Sequence, residues 1–190
     1  LAGIQLYLEE IGSQVAGRKI ELIVEDDEAN PATGLTKTRK LVEKDEVHLM
    51  TGGLMASTAY ALAPYIDSKE IPMTYPIMSA DDITQRKIPK WIVRTGWSSS
   101  QPHQPFGEYA YNVLKYKKIS VIAYDFAFGW ECVGGFHKVF EDSGGKVLQK
   151  IWVPLTAQDF SPYLSQISKE ADAVFAVSSG TQTMQLCKQY

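Results

Sequence analysis

Few residues in this sequence have the types and spacings that catalysis needs. The three histidines, His48, His103 and His137, are isolated. None belongs to an HExxH helix, which would set two metal ligands one turn apart, and no GxSxG turn offers an exposed nucleophilic serine. His48 lies in a strand-like run and His137 on an amphipathic one, where a packing role suffices. Gly129 and Gly134 have the GxxxxG spacing of a phosphate loop, but Gly135 and Phe136 stand where Lys and Ser or Thr are required. Asp26-Asp27 could begin a phosphate-receiving acidic pocket, yet the Asp expected after the next strand is replaced by Thr51. A solvated loop ahead of a helix accounts for such a charge run. Cys132 and Cys187 form no CxxC pair, which argues against a zinc ribbon or dithiol redox site. Two free, buried thiols are the expectation.

Residues suited to binding are more prominent. In Thr51-Gly52-Gly53-Leu54-Met55-Ala56-Ser57, two glycines permit a tight turn and small residues open a helix. Free N–H groups and the helix dipole at such an opening suit a carboxylate or other anion. Ser57 and Thr58 add hydroxyls and are candidate caps, as is Ser79 at a second opening after Pro76-Ile77-Met78. Tyr124, Phe126, Phe128 and Trp130 crowd a third loop, and Trp97 and Tyr75 lie in or next to others. Apolar rings at strand ends fit a face that a ligand covers.

Loops of this kind require strands and helices to position them, and the sequence alternates the two. Strands are expected at 19–25, 46–51, 71–75, 91–95, 118–124, 146–153 and 172–177. Helices are expected at 1–10, 30–44, 57–68, 106–114, 129–141 and 159–169, with a short turn at 79–82 and a last helix from Thr181. Asn30-Pro31 is a strong helix start, with Asn as the cap and Pro in the first turn. This order implies an α/β fold with parallel sheets covered by helices. The polar, Pro-punctuated segment 97–105 breaks the alternation and reads as a crossing between a first lobe, 1–96, and a second, 106–190. Ligands of open α/β sheets bind beyond the carboxyl ends of strands.

Composition narrows the classes further. The chain has 190 residues, 45% hydrophobic and 22% charged, which is ordinary for a globular protein. The net charge of −3, without a basic cluster, disfavours nucleic-acid binding. The longest charge-free run, 47–66, holds two glycines and a proline and does not read as a membrane span. Both ends read as interrupted helices, so a fragment is expected, and absent targeting signals carry no information.

DDEANP, TGGLMASTAYALAP with IPMTYP, VRTGWSSSQ, VIAYDFAFGW and PLTAQDFSPYLSQI with DADAVFAVSSG occur in one order along essentially the whole chain. In that arrangement the sequence resembles the leucine/isoleucine/valine-binding-protein family, the type I periplasmic substrate-binding proteins of ABC transporters. The resemblance implies two hinged α/β lobes, no catalysis and no cofactor. It implies a monomeric periplasmic or lipid-anchored protein, not integral to the membrane, that hands a small molecule to an ABC transporter permease. It also implies a first strand before Leu1 and further chain after Tyr190. Carried over residue by residue, the ligand site falls on Ala56 and Ser57, on Ile77 and Ser79, on Phe128 and on Ser179. Ala56 stands where the family has a carboxylate-binding serine, Phe128 where a tyrosine is common, and Ser179 where amino-acid binders often have an aromatic. With Met55, Met78 and Trp97 nearby, these departures favour a hydrophobic or aromatic carboxylate. A sensor module of the same fold is the first alternative. A cytoplasmic α/β enzyme is the second, and it would need a nucleophile, metal or nucleotide motif.

Overall fold

The computed structural model describes residues 1–190. The chain opens with α1 (Ala2–Glu10), which buries no residue, and a short hairpin of β1 (Gln14–Val15) and β2 (Arg18–Lys19). Ala16 and Gly17 turn the hairpin with φ of 50° and 76°, the two-positive-φ geometry that matches strand twist. The strand expected at 19–25 is absent beyond Lys19. The Ile20 N–H still donates to the Ser13 carbonyl at 2.8 Å, but from Glu21 to Asp26 the backbone makes no ladder with any other segment, and a strand exists only where a neighbour takes up its N–H and C=O groups.

From Asn30 onward the alternation holds. In α2 (Pro31–Glu43) the Asn30 side-chain oxygen accepts the N–H groups of Ala32 and Thr33 at 2.9 and 3.1 Å. Next come β3 (Met50–Thr51), α3 (Ala56–Lys69), β4 (Met73–Tyr75), α4 (Asp82–Gln85) and β5 (Ile92–Arg94). These three strands form one parallel sheet in the order β3-β4-β5. After the crossing come α5 (His103–Asn112), β6 (Lys118–Tyr124), α6 (Ala127–Asp142), β7 (Lys146–Val153), α7 (Ser161–Leu164), β8 (Ala173–Val177) and α8 (Gly180–Gln189). They form a second parallel sheet, β7-β6-β8. No helix is long and apolar enough to cross a membrane.

In β6 every residue but Lys118 is buried, because it is the central strand of a sheet covered on both faces. Ile119, Val121 and Ala123 face Val133, Phe136 and Phe140 of α6, where Phe136 stacks on Phe175 at 4.0 Å between ring centroids. Ile122 faces the other way, into a cluster with Ile151, Val153, Phe160 and Leu186. The first lobe has its own core, with Ala59, Leu62 and Ile66 of α3 packed over Met50, Met73 and Tyr75. Each fully buried large side chain contributes roughly 1.5–3 kcal/mol.

Several boundaries shift for local reasons. The helix expected at 159–169 contracts to α7, because Ser165 Oγ and Gln166 Nε2 donate to the Pro162 carbonyl at 3.0 and 2.8 Å and compete with the helical ladder. α3 is preceded by Met55 and not capped by Ser57 or Thr58, which lie inside it. Asp81 does not cap α4; its carboxylate accepts the Ser100 N–H at 3.1 Å and ties the crossing to the first lobe. Neither cysteine is in a disulfide; Cys132 is buried, but Cys187 lies on the exposed side of α8.

Candidate functional site

All three strands of each sheet run parallel, so the loops after β3, β4 and β5 leave one edge and those after β6, β7 and β8 leave another. At the first edge Gly52 and Gly53 have φ of 116° and 80°, and the chain turns at once into α3. A Cβ on Gly53 would lie 1.7 Å from Met78 Cε, so the two openings are pressed against each other. The N–H groups of Ala56, Ser57 and Thr58 have no acceptor in the chain, nor do those of Ile77, Met78 and Ser79. Ala56 is buried, Ser57 half-buried, Ile77 exposed and Ser79 buried. This concentration of unpaired donors, with the dipole of α3 behind it, is chemically suited to an anion.

The Ser79 hydroxyl has a partner that its loop did not reveal. Ser99 Oγ lies 2.9 Å from Ser79 Oγ and also 2.9 Å from the Ser79 carbonyl, while the Ser99 N–H donates to that carbonyl at 2.8 Å. Ser99 has one hydroxyl proton, and donated to the carbonyl it leaves Ser79 as the donor of the hydroxyl pair. Donation to an anion at this opening then rests on the backbone. Arg94 Nη1 donates to the Ala80 carbonyl at 2.6 Å and fixes the same loop from below.

In the second lobe Phe126 precedes α6 in extended conformation, and Phe128 stands in its first turn. Phe128 is half-buried and packs against the apolar clusters of both lobes. Gly129 is required behind it, because a Cβ there would lie 2.1 Å from the Tyr124 carbonyl oxygen. The expected aromatic face divides under tertiary packing. Trp97 and Trp130 remain half-exposed, with Trp130 Nε1 donating to Asp125 at 3.0 Å. Tyr75 and Tyr124 are buried and are not part of it. Tyr124 instead positions Ser179: the Ser179 N–H donates to its hydroxyl at 3.0 Å, and that hydroxyl reaches the Ser179 carbonyl at 3.1 Å and Gln182 Oε1 at 2.7 Å. Ser179 itself is exposed at the start of α8.

The lobes meet where α3 packs on α6. The Tyr60 hydroxyl donates to Glu131 Oε1 and accepts the Asp82 N–H at 3.0 Å. Burial pushes the Glu131 carboxyl above the usual carboxylate range, and burial with the Glu131 contact pushes the Tyr60 phenol up. A cleft of about 250 Å³ opens beside the pair, lined by Tyr60, Asp82, Arg86, Ala127, Trp130 and Glu131. Neither residue was expected at a site: Tyr60 lies within the TGGLMASTAYALAP segment and Glu131 directly after VIAYDFAFGW, but nothing in those segments marks them as partners. The available signal was spacing: Tyr60 lies one helical turn beyond Ala56 and Glu131 one turn beyond Phe128.

Comparison with known proteins agrees with this architecture. The Leu/Ile/Val-binding protein homolog 6 of Brucella melitensis is 30% identical over all of this chain and 48% of its own length. An ABC transporter substrate-binding protein from Sphaerobacter thermophilus is 34% identical and superimposes with a TM-score of 0.85 over 99% of this chain and 52% of that one. A solute-binding protein of an ABC transporter from Rhodopseudomonas palustris BisB5, solved in complex with 3,4-dihydroxybenzoic acid, is 30% identical with a TM-score of 0.88 over 98% of this chain and 51% of that one. The chain therefore spans about half the length of these relatives. With two parallel α/β lobes, paired strand-end openings, and a match to the periplasmic binding protein family across residues 1–190, the chain belongs to that family.

Proposed function

We propose that this chain is part of a periplasmic, monomeric solute-binding protein that clasps a small aromatic or hydrophobic carboxylate between its lobes and delivers it to an ABC transporter permease, without catalysis. The observation that carries the reading is the set of unpaired N–H groups at Ala56–Thr58 and Ile77–Ser79, in a structure where Phe128 packs against both lobes. The donors take the carboxylate, and the ring takes the flat remainder of the ligand. Ala56 and Phe128 supply no side-chain hydroxyl, which favours an apolar acid over a zwitterion. The 3,4-dihydroxybenzoate complex of the R. palustris relative supports the same ligand class.

Calorimetry on the full-length protein tests this with benzoate, 4-hydroxybenzoate, benzamide and leucine. The two benzoates should bind and benzamide should not, since it lacks the charge that the N–H groups recognise. Binding of leucine alone would keep the site and overturn the ligand class. Binding of none would overturn both.

A further inference from the structure

The contact between Tyr60 and Glu131 has an uneven hydrogen-bond balance. Glu131 Oε1 is bonded to the phenol, while Glu131 Oε2 is buried without a hydrogen bond; the Ser99 hydroxyl and the Asp81 N–H near the carboxyl favour its charged form, but burial outweighs them. No lysine or arginine makes a salt bridge to this carboxyl. Arg86 is bound to Asp82 at 2.6 Å, and Arg94 is engaged with the Ala80 carbonyl and Thr84. The other titratable groups around it are Tyr60 on α3, Asp81 and Asp82 at the start of α4, Lys87 across the cleft, and the Cys132 thiol on its own helix. His103 of α5 is engaged with the Ser99 carbonyl and the Phe175 ring. A carboxylate held this way would leave a bare charged oxygen out of water, whereas a neutral carboxyl leaves only an unpaired O–H, which costs far less.

We infer that Tyr60 and Glu131 form a latch that holds the two lobes together, and that it closes on a protonated Glu131. The link to ligand capture rests on the function proposed above; the latch itself does not. When the lobes part, Glu131 meets water and its carboxyl returns to the ordinary range. Closing buries it, and burial raises it, as the upward displacement here agrees. A group whose closed-state value is raised favours the closed form at low pH. That contribution is lost as pH rises through the closed-state value. Ligand capture therefore takes up protons from solvent, and affinity falls as pH rises, by at most tenfold per pH unit for one group.

Two measurements on the full-length protein test this. The first is a carboxyl carbon-13 NMR titration, with the Glu131 signal assigned from Glu131→Gln. Its midpoint should lie above the ordinary glutamate range and should move in Tyr60→Phe, upward where the lobes stay together or down to the ordinary range where they part. An ordinary midpoint in the unaltered protein, or the same midpoint in both, overturns the latch. The second is benzoate affinity from pH 5.5 to 8.5. The unaltered protein should lose affinity with rising pH, and Glu131→Gln, which is neutral and still accepts from Tyr60, should retain affinity with a flat profile. Glu131→Ala should bind roughly tenfold more weakly throughout. Identical pH profiles for the unaltered protein and Glu131→Gln overturn the proton linkage. If benzoate binds at no pH, the proposed ligand class fails, and the NMR titration still decides the latch.

Discussion

Ser79 Oγ and Ser99 Oγ lie 2.9 Å apart, so the opening after β4 is bonded directly to the segment that crosses between the lobes. Both residues are buried, and their hydroxyls are hydrogen-bonded to each other. These bonds tie the crossing to the loop that presents the Ile77–Ser79 N–H groups.

Ser99→Ala should lower stability by about 1–2 kcal/mol, since it leaves the buried Ser79 hydroxyl without its partner. Urea unfolding checks this. A midpoint unchanged within error would mean that the pair adds nothing net.

Phe128→Ala should destabilise by about 2 kcal/mol, below the range for a fully buried Phe because the ring is half-buried. It should weaken benzoate binding at the same time. Phe128→Tyr should retain most of both. Parallel unfolding and calorimetric titrations separate the ring's packing role from its proposed ligand role.

Two glycines of α6 should respond in opposite directions. Gly129→Ala forces a Cβ to within 2.1 Å of the Tyr124 carbonyl and should cost about 1–3 kcal/mol. Gly134 has nothing within 4 Å of an added Cβ, so Gly134→Ala should stabilise by about 0.5–1 kcal/mol through helix propensity. Thermal unfolding of the two variants makes the comparison.

The cysteines should differ in reactivity. Burial pushes the Cys132 thiol up to about 12 and shields it, while Cys187 is exposed. Thiolate is the reactive form. Peptide mapping after alkylation of native protein at pH 8 should find Cys187 modified and Cys132 intact, with both modified after denaturation. Labelling of Cys132 in the native protein would contradict its packing.

Asp172 accepts the backbone N–H groups of Lys118 and Lys117 at 2.8 and 2.7 Å, which hold its carboxyl below the ordinary range. A depressed folded-state value contributes stability above the unfolded value, near 3.9, and loses it as pH falls through the folded value. Asp172→Asn should therefore be less stable than the unaltered protein at neutral pH. The two urea midpoints should converge as pH falls toward 2.

The sequence by itself determined what depends on near neighbours. Asn30-Pro31 starts its helix through contacts two and three residues away, and Gly144 ends α6 with φ of 104°. The alternation of apolar runs sets the order of β6, α6, β7 and β8, and Gly52-Gly53 forecasts a turn before a helix opening. The likeness of these segments, taken in order, to the type I binding proteins already pointed to the fold. Tertiary structure decided whatever needed a distant partner. Residues 20–27 have strand composition but no strand beside them, and composition cannot supply one. Tyr124 reads as a surface ring at a loop, yet it turns inward to hold Ser179, 55 residues away. The Ser79 hydroxyl found its partner 20 residues on, and Tyr60 found Glu131 at a separation of 71. Such pairs follow no helical or strand period; Tyr60 meets Glu131 because α3 packs against α6 across the two lobes.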